Sequence, residues 1–301
     1  MTDNIKGILA VLTSATGFCV NDALVKLATE HLPTGEIIVV RGVMATAILA
    51  AAATVTGSWR SPRVLMQPAM MLRLIASIFA TLSIVMALRY LPLPTSAAIL
   101  QVTPLVVTAG AAVLLGAKVG WRRWAASIAG FAGVLLIIRP GGASFVPEAW
   151  IAVASLLFTA TRDLTTRFID KSVPSLFIAV ASSAVITLGG FLLLPFEVWV
   201  LPPLRAMLLL TCAASSLYFA YYFGIVAMRT GEIAVVAPFR YALIILALML
   251  GYLIWGHVPD LPAFAGIGIV CAAGMSMLHR ERRAMSAGAA KSTAVPQRSP
   301  A

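Results

Sequence analysis

Two short phrases hold much of the ionisable chemistry of this 301-residue chain. "CVNDALVKLATEHLP" at 19–33 sets Asp22 and Lys26 one helical turn apart, and "TRDLTTRFIDKSVP" at 161–174 repeats the theme with Arg162, Asp163 and Arg167. At this spacing a carboxylate and a cation can brace a helix end locally, pair with a neighbouring helix, or meet a charged ligand. An ionisable group near the centre of a bilayer costs roughly 2.5 to 3.5 kcal/mol on insertion scales, so each one needs a reason to be there. Asp22 and Arg41 each lie about 9 Å below the same end of their segments at helical rise. An inter-helix ion pair between Asp22 and Arg41 is therefore expected, with Lys26 nearer the interface.

Arg240 is the most deeply placed charge. It reads either as a structural partner for Asp163 or as a cation facing a carboxylate-bearing substrate. Pro104 and Pro238 interrupt two other apolar segments. Each lacks an N–H and frees the carbonyl four residues back, at Leu100 and Ala234. Freed backbone at membrane depth survives where it is buried in protein or lines a cavity. Gln101, Thr103 and Tyr241 fall beside the two breaks and are candidate polar groups of such a cavity. Tyr218, Tyr221 and Tyr222 in "SSLYFAYYFG" stand at mid-span depth, as a ligand-stacking stripe or as helix packing. Gly130, Gly133, Gly266, Gly268 and Gly274 permit close helix contact and carry no binding role.

The elements that must position these groups are apolar. Hydrophobic residues make up 60% and charged residues 11% of the chain, against about 25% charged in soluble proteins. Ten segments approach the length needed to cross a bilayer: 5–27, 35–56, 69–90, 94–117, 121–138, 146–168, 174–196, 203–227, 231–254 and 260–279. The first is expected to be retained rather than removed as a signal peptide, since no basic run precedes it. From about residue 280 the small, polar and basic composition predicts a disordered tail. The formal charge of +11 fits orientation better than nucleic-acid binding. With the amino terminus in the cytoplasm, fifteen Lys and Arg fall on the inner side against four on the outer, as the positive-inside rule requires. Both termini are then cytoplasmic, in a bacterial inner membrane. Cys19, Cys212 and Cys271 lack metal-ligand spacing and are read as packing residues.

The two phrases belong to a longer repeat. Asp22 and Asp163, Lys26 and Arg167, and Pro33 and Pro174 each stand 141 residues apart, while Arg89 and Arg229, and Gly116 and Gly256, stand 140 apart. Five collinear matches with one deletion predict two copies of a five-helix unit, 1–139 and 146–279, followed by the tail at 280–301. An odd number of spans per copy makes the repeat inverted, as in many secondary transporters. The expected fold is thus all-α and integral to the membrane, ten transmembrane helices as two inverted five-helix repeats.

These halves, together with Arg41 in the second span, Pro104 in "ILQVTPLVV" and the stretch "VVAPFRYALIILALMLGYLIWGHVPDLPAFAGIGIVCAAG" at 235–274, resemble the EamA family of the drug/metabolite transporter superfamily. The resemblance covers nearly the whole chain to about residue 279. It implies two inverted bundles around a central cavity and transport of a small organic metabolite without ATP. Phosphate-cradling, HExxH and GxSxG motifs are absent from the sequence, so no enzyme activity, cofactor or metal site is expected. If transport is proton-coupled, Asp22 and Asp163 are the candidate carriers, being the acidic residues well inside the spans. A non-transporting partner or sensor subunit would share the fold but have a sealed, fully packed midplane.

Overall fold

The computed structural model describes residues 3–115, 120–140, 146–166, 168–170, 172–230 and 237–293, and these are helices and their connections with no strand among them. The helices are α1 (Asp3–Ala28), α2 (Thr34–Val55), α3 (Pro68–Tyr90), α4 (Leu93–Leu100), α5 (Thr103–Leu115), α6 (Trp121–Ile138), α7 (Ala149–Thr166), α8 (Ser175–Gly190), α9 (Leu204–Thr230), α10 (Ala242–Trp255) and α11 (Leu261–Thr293). Short 3-10 turns occupy Pro62–Met66, Phe191–Phe196 and Ala237–Tyr241. Prolines start several helices. Pro33 and Pro174 cap α2 and α8, and Pro68 opens α3, because a first-turn proline loses no intrahelical bond.

Six helical stretches are long and apolar enough to cross a membrane, and three shorter apolar ones cover Trp124–Ile138, Phe239–Trp255 and Leu261–Met277. The remaining expected segment is α7, whose 18 residues include Arg162 and Asp163. Two boundaries differ from the sequence reading. The segment expected at 94–117 is divided into α4 and α5, and in the one expected at 231–254 the turn at Ala237–Tyr241 precedes α10. The segment expected to be disordered from 280 instead continues α11 to Thr293. Its Arg, Glu, Met, Ala and Lys residues are strong helix formers, which offsets its lack of an apolar face.

The packing joins the two ends of the chain. α1 lies against α9, α2 against α8, α3 against α7, α4 against α10 and α6 against α11. Lipid tails are as apolar as leucine, so these contacts rest on close approach of small residues and on interhelical hydrogen bonds. Ser14 donates to the Ala220 carbonyl at 2.8 Å, and Ser155 donates to the Ala80 carbonyl at 2.9 Å. A Cβ on Gly266 would stand 2.7 Å from the Gly133 carbonyl oxygen, and one on Gly133 would stand 3.0 Å from that of Gly266.

At the α1–α2 end, polar contacts cross between distant parts of the chain. The Glu197 carboxylate accepts from the backbone N–H of Thr34 (3.1 Å) and of Gly35 (2.7 Å), and so satisfies the first turn of α2. Glu36 accepts from the Val200 N–H at 3.1 Å, and Trp255 Nε1 donates to Glu30 at 3.1 Å. Arg139 ends α6 in the left-handed region at φ 49°, where the following Pro140 disfavours further helix. Its guanidinium donates to Asp260. That bond holds the Asp260 carboxyl below the usual carboxylate range, so its contribution is present above the ordinary carboxylate pKa and fades as pH falls through the lowered one.

Replacing Gly266 by Ala should force α6 and α11 apart and lower stability by about 1 to 3 kcal/mol. Gly268→Ala, whose Cβ would meet nothing within 4 Å, should change stability by less than about 0.5 kcal/mol. Thermal unfolding of the two variants in detergent checks the contrast.

Candidate functional site

The break in the first half follows from its residues. Pro104 has no N–H to offer the Leu100 carbonyl, and the Thr103 hydroxyl donates to that oxygen instead, at 2.5 Å. α4 therefore closes with Gln101 N–H on the Ala97 carbonyl (3.1 Å) and Val102 N–H on the Ile99 carbonyl (3.2 Å). A new helix begins at Thr103. Gln101, freed from a regular helix surface, reaches across to the turn at Ala237–Tyr241 and donates Nε2 to the Arg240 carbonyl at 2.9 Å. The two interruptions are thus tied to each other. Pro238 lies within the second interruption. Ala234, whose carbonyl it was expected to free, falls outside the described residues.

Between the halves lies a cavity of about 640 Å³. Gln101, Thr103, Pro104, Asp22 and Arg41 line it from the first half, and Arg162, Asp163, Tyr221, Arg240 and Tyr241 from the second. Most of the sequence-derived candidates are therefore brought together. Tyr218 and Tyr222 are not among the lining residues. Tyr218 packs on the Leu49, Ala53 and Val180 cluster, and Tyr222 stacks on Tyr218 with ring centroids 6.4 Å apart. The expected stripe thus splits, because Tyr221 lies on a different face of α9 and meets Phe18 edge-on at 5.5 Å. Tyr241 is buried against α11, where Gly274 leaves room for its hydroxyl. Arg167 lies outside the described residues.

The charges are arranged differently from the expected pair. Arg41 is 8% exposed, and its Nη1 donates to Asn21 Oδ1 at 3.0 Å rather than to Asp22. Asn21 Nδ2 in turn donates to Asp22 Oδ1 at 2.9 Å. An amide therefore separates carboxylate from guanidinium, and among the described residues no direct Asp22–Arg41 contact forms. Asn21, which the sequence reading did not single out, is the residue immediately before Asp22. Lys26 does not pair with Asp22. Its ammonium, in a side chain 8% exposed overall, donates to the Leu88 carbonyl (2.6 Å) and the Leu91 carbonyl (2.8 Å), 5.5 Å from the Trp255 ring centroid. It thereby occupies carbonyls at the end of α3 that no later helical N–H can reach.

In the second half the pairing is direct. Arg162 Nη2 stands 2.9 Å from Asp163 Oδ1. Arg240 is not the partner of Asp163, and among the described residues its guanidinium has neither hydrogen bond nor ion pair. Arg73, counted in the sequence only as an inner-side charge, donates to Thr166 Oγ1 at 2.9 Å and to Ser182 Oγ at 2.5 Å, and so ties α3 to α7 and α8. Arg41, Arg73 and Arg162 all lie within electrostatic reach of the Tyr221 hydroxyl. No cluster of His, Cys, Asp or Glu suited to a metal ion occurs among the described residues. Cys19 is buried as expected, whereas Cys212 is exposed.

Residues 5–139 match the model of the EamA-like transporter family. The chain is similar to an S-adenosylmethionine uptake transporter of Rickettsia prowazekii, with 24% identity over 65% of this chain and 66% of that protein. It is also similar to a riboflavin transporter of Vibrio cholerae, with 24% identity over 88% of this chain and 90% of the other. The pseudopaline exporter CntI of Pseudomonas aeruginosa is 26% identical over 92% of this chain and 96% of its own. A solved crystal structure shares the fold at a TM-score of 0.61 and 20% identity, covering 92% of this chain and 98% of that one.

Asn21→Leu keeps the branching of the side chain but removes both links of the Arg41–Asn21–Asp22 relay. It should lower stability by about 1 to 3 kcal/mol, the cost of stranding buried polar groups. Thr13→Val, which removes only an exposed bond to the Leu9 carbonyl, should be close to neutral in the same unfolding assay.

Proposed function

We propose that this chain is a secondary transporter of the EamA-like type that carries a small organic metabolite across a bacterial inner membrane by alternating access. The observation that carries the reading is the cavity of about 640 Å³. It has the volume of a small-molecule site, takes polar residues from both halves, and is flanked by two linked helix breaks. A non-transporting subunit with a sealed midplane would have no use for such a space. The names borne by the similar proteins, for S-adenosylmethionine, riboflavin and pseudopaline, support a small metabolite as cargo.

Alternating access requires two halves that can exchange conformations. Hydrogen bonds support such a relation. Ser14 matches Ser155 at the offset of 141, and Ala80 matches Ala220 at the offset of 140. The bond from Ser14 to the Ala220 carbonyl therefore has a counterpart in the bond from Ser155 to the Ala80 carbonyl. The same offset of 141 carries Gly42 onto Ser183 and Thr46 onto Thr187; Thr46 bonds Ser183 at 2.8 Å, and Gly42 packs on Thr187. Two five-helix repeats, 1–139 and 146–279, related by inversion with both termini cytoplasmic, account for these pairs and for the distribution of Lys and Arg. The carboxyl group best placed for a coupling proton is Asp22, met on one oxygen by a neutral amide, rather than Asp163, which is in direct contact with the Arg162 guanidinium.

Purified protein in liposomes should take up labelled S-adenosylmethionine or riboflavin, or a compound found by thermal-shift screening, without ATP. Ala45→Trp, on a cavity-lining residue, should abolish most of the flux. Val43→Trp, two residues away on an exposed position outside the cavity lining, should leave it. Equal flux through both variants, or none through folded wild-type protein, would contradict the proposal.

A further inference from the structure

Resting on that transport reading, we infer that the cargo is a zwitterion: a carboxylate that docks on Arg240 and a cationic donor, such as an ammonium, that docks on Asp22. The cavity wall carries five charged groups, and their partners differ. Arg162 and Asp163 neutralise each other in direct contact at 2.9 Å. Arg41 donates Nη1 to Asn21. Arg41 Nε is buried without a hydrogen-bond partner, and the further open valences among the described residues include two of opposite sign. One is Asp22 Oδ2, since only Oδ1 is met by the Asn21 amide. The other is the whole guanidinium of Arg240.

An open charge in a low-dielectric wall is costly unless water or a ligand meets it. These two have opposite signs and face the same space. The turn at Ala237–Tyr241 packs directly on α1, so the helix that carries Asp22 and the turn that carries Arg240 are neighbours. The Gln101 bond to the Arg240 carbonyl fixes the backbone from which the guanidinium projects. Arg240 is suited to a planar carboxylate, which a guanidinium can grip with two parallel N–H bonds. Asp22 accepts only, and so selects a donor. A cation without a carboxylate leaves Arg240 unmet, and an anion without a cation leaves Asp22 unmet. A site built to meet both charges rejects an analogue that leaves one of them unpaired.

Thermal stabilisation of purified full-length protein tests this with matched probes. 4-Aminobutyrate carries both the ammonium and the carboxylate, butylamine only the ammonium and butyrate only the carboxylate; S-adenosylmethionine is compared with uncharged 5′-methylthioadenosine; riboflavin serves as a neutral control. Zwitterions should stabilise the protein and their singly charged or uncharged counterparts should bind roughly 10- to 100-fold more weakly, the range lost with one hydrogen bond to a charged group. Asp22→Asn and Arg240→Gln should each reduce zwitterion binding by a similar factor, and Arg240→Lys should restore part of it. A butylamine or butyrate response equal to that of 4-aminobutyrate would overturn the inference. So would variants that bind the zwitterions as wild type does. A response to riboflavin alone would overturn the zwitterion assignment and leave the transport reading standing. No response to any probe, with no flux in liposomes, would end both.

Discussion

A main-chain carbonyl or N–H in a bilayer has no water to turn to, and the centre of this molecule is built around that constraint. Pro104 opens the helix at Leu100, and the Thr103 hydroxyl closes the freed valence. Gln101 then spends its amide on the Arg240 carbonyl, inside the other interruption. Two local defects become a single cross-half joint. Interrupted helices at this depth are tolerable only where protein or a cavity surrounds them, and here both do. The same rule governs Lys26, whose ammonium fills carbonyls that the end of α3 leaves open.

The charges obey a related constraint. A carboxylate and a guanidinium in direct contact, as in Arg162 and Asp163, satisfy each other and are closed to a ligand. Asn21 makes the first half different. By standing between Asp22 and Arg41 it keeps the two charges within mutual influence without letting either consume the other. The Arg162–Asp163 pair is thus sealed and the Asp22–Asn21–Arg41 relay open, around one cavity.

Much of the fold was legible because its signals are long. Apolar runs near 20 residues and proline starts place helices without any side-chain geometry. The boundaries that failed are those set by local competition. α11 runs on into the tail because Ala, Arg, Glu and Lys favour helix even without an apolar face. The cavity lining was legible at Pro104, Gln101 and Tyr241, where a missing N–H announces itself. It was not legible at Asn21, since an amide beside an aspartate looks like ordinary polarity until a guanidinium from another helix arrives. Nor could a stripe of tyrosines reveal which one faces the cavity, because Tyr221 and Tyr222 differ only by the rotation of α9.

The central claim is that one cavity serves both faces of the membrane. Its most direct test is a cysteine at Thr159, a cavity-lining position, in protein whose three native cysteines are replaced. Labelling by a membrane-impermeant thiol reagent is followed in right-side-out and inside-out vesicles, with and without cargo. Alternating access predicts modification from both sides, with cargo shifting the ratio between them. Modification from one side alone under every condition, or from neither, would contradict it.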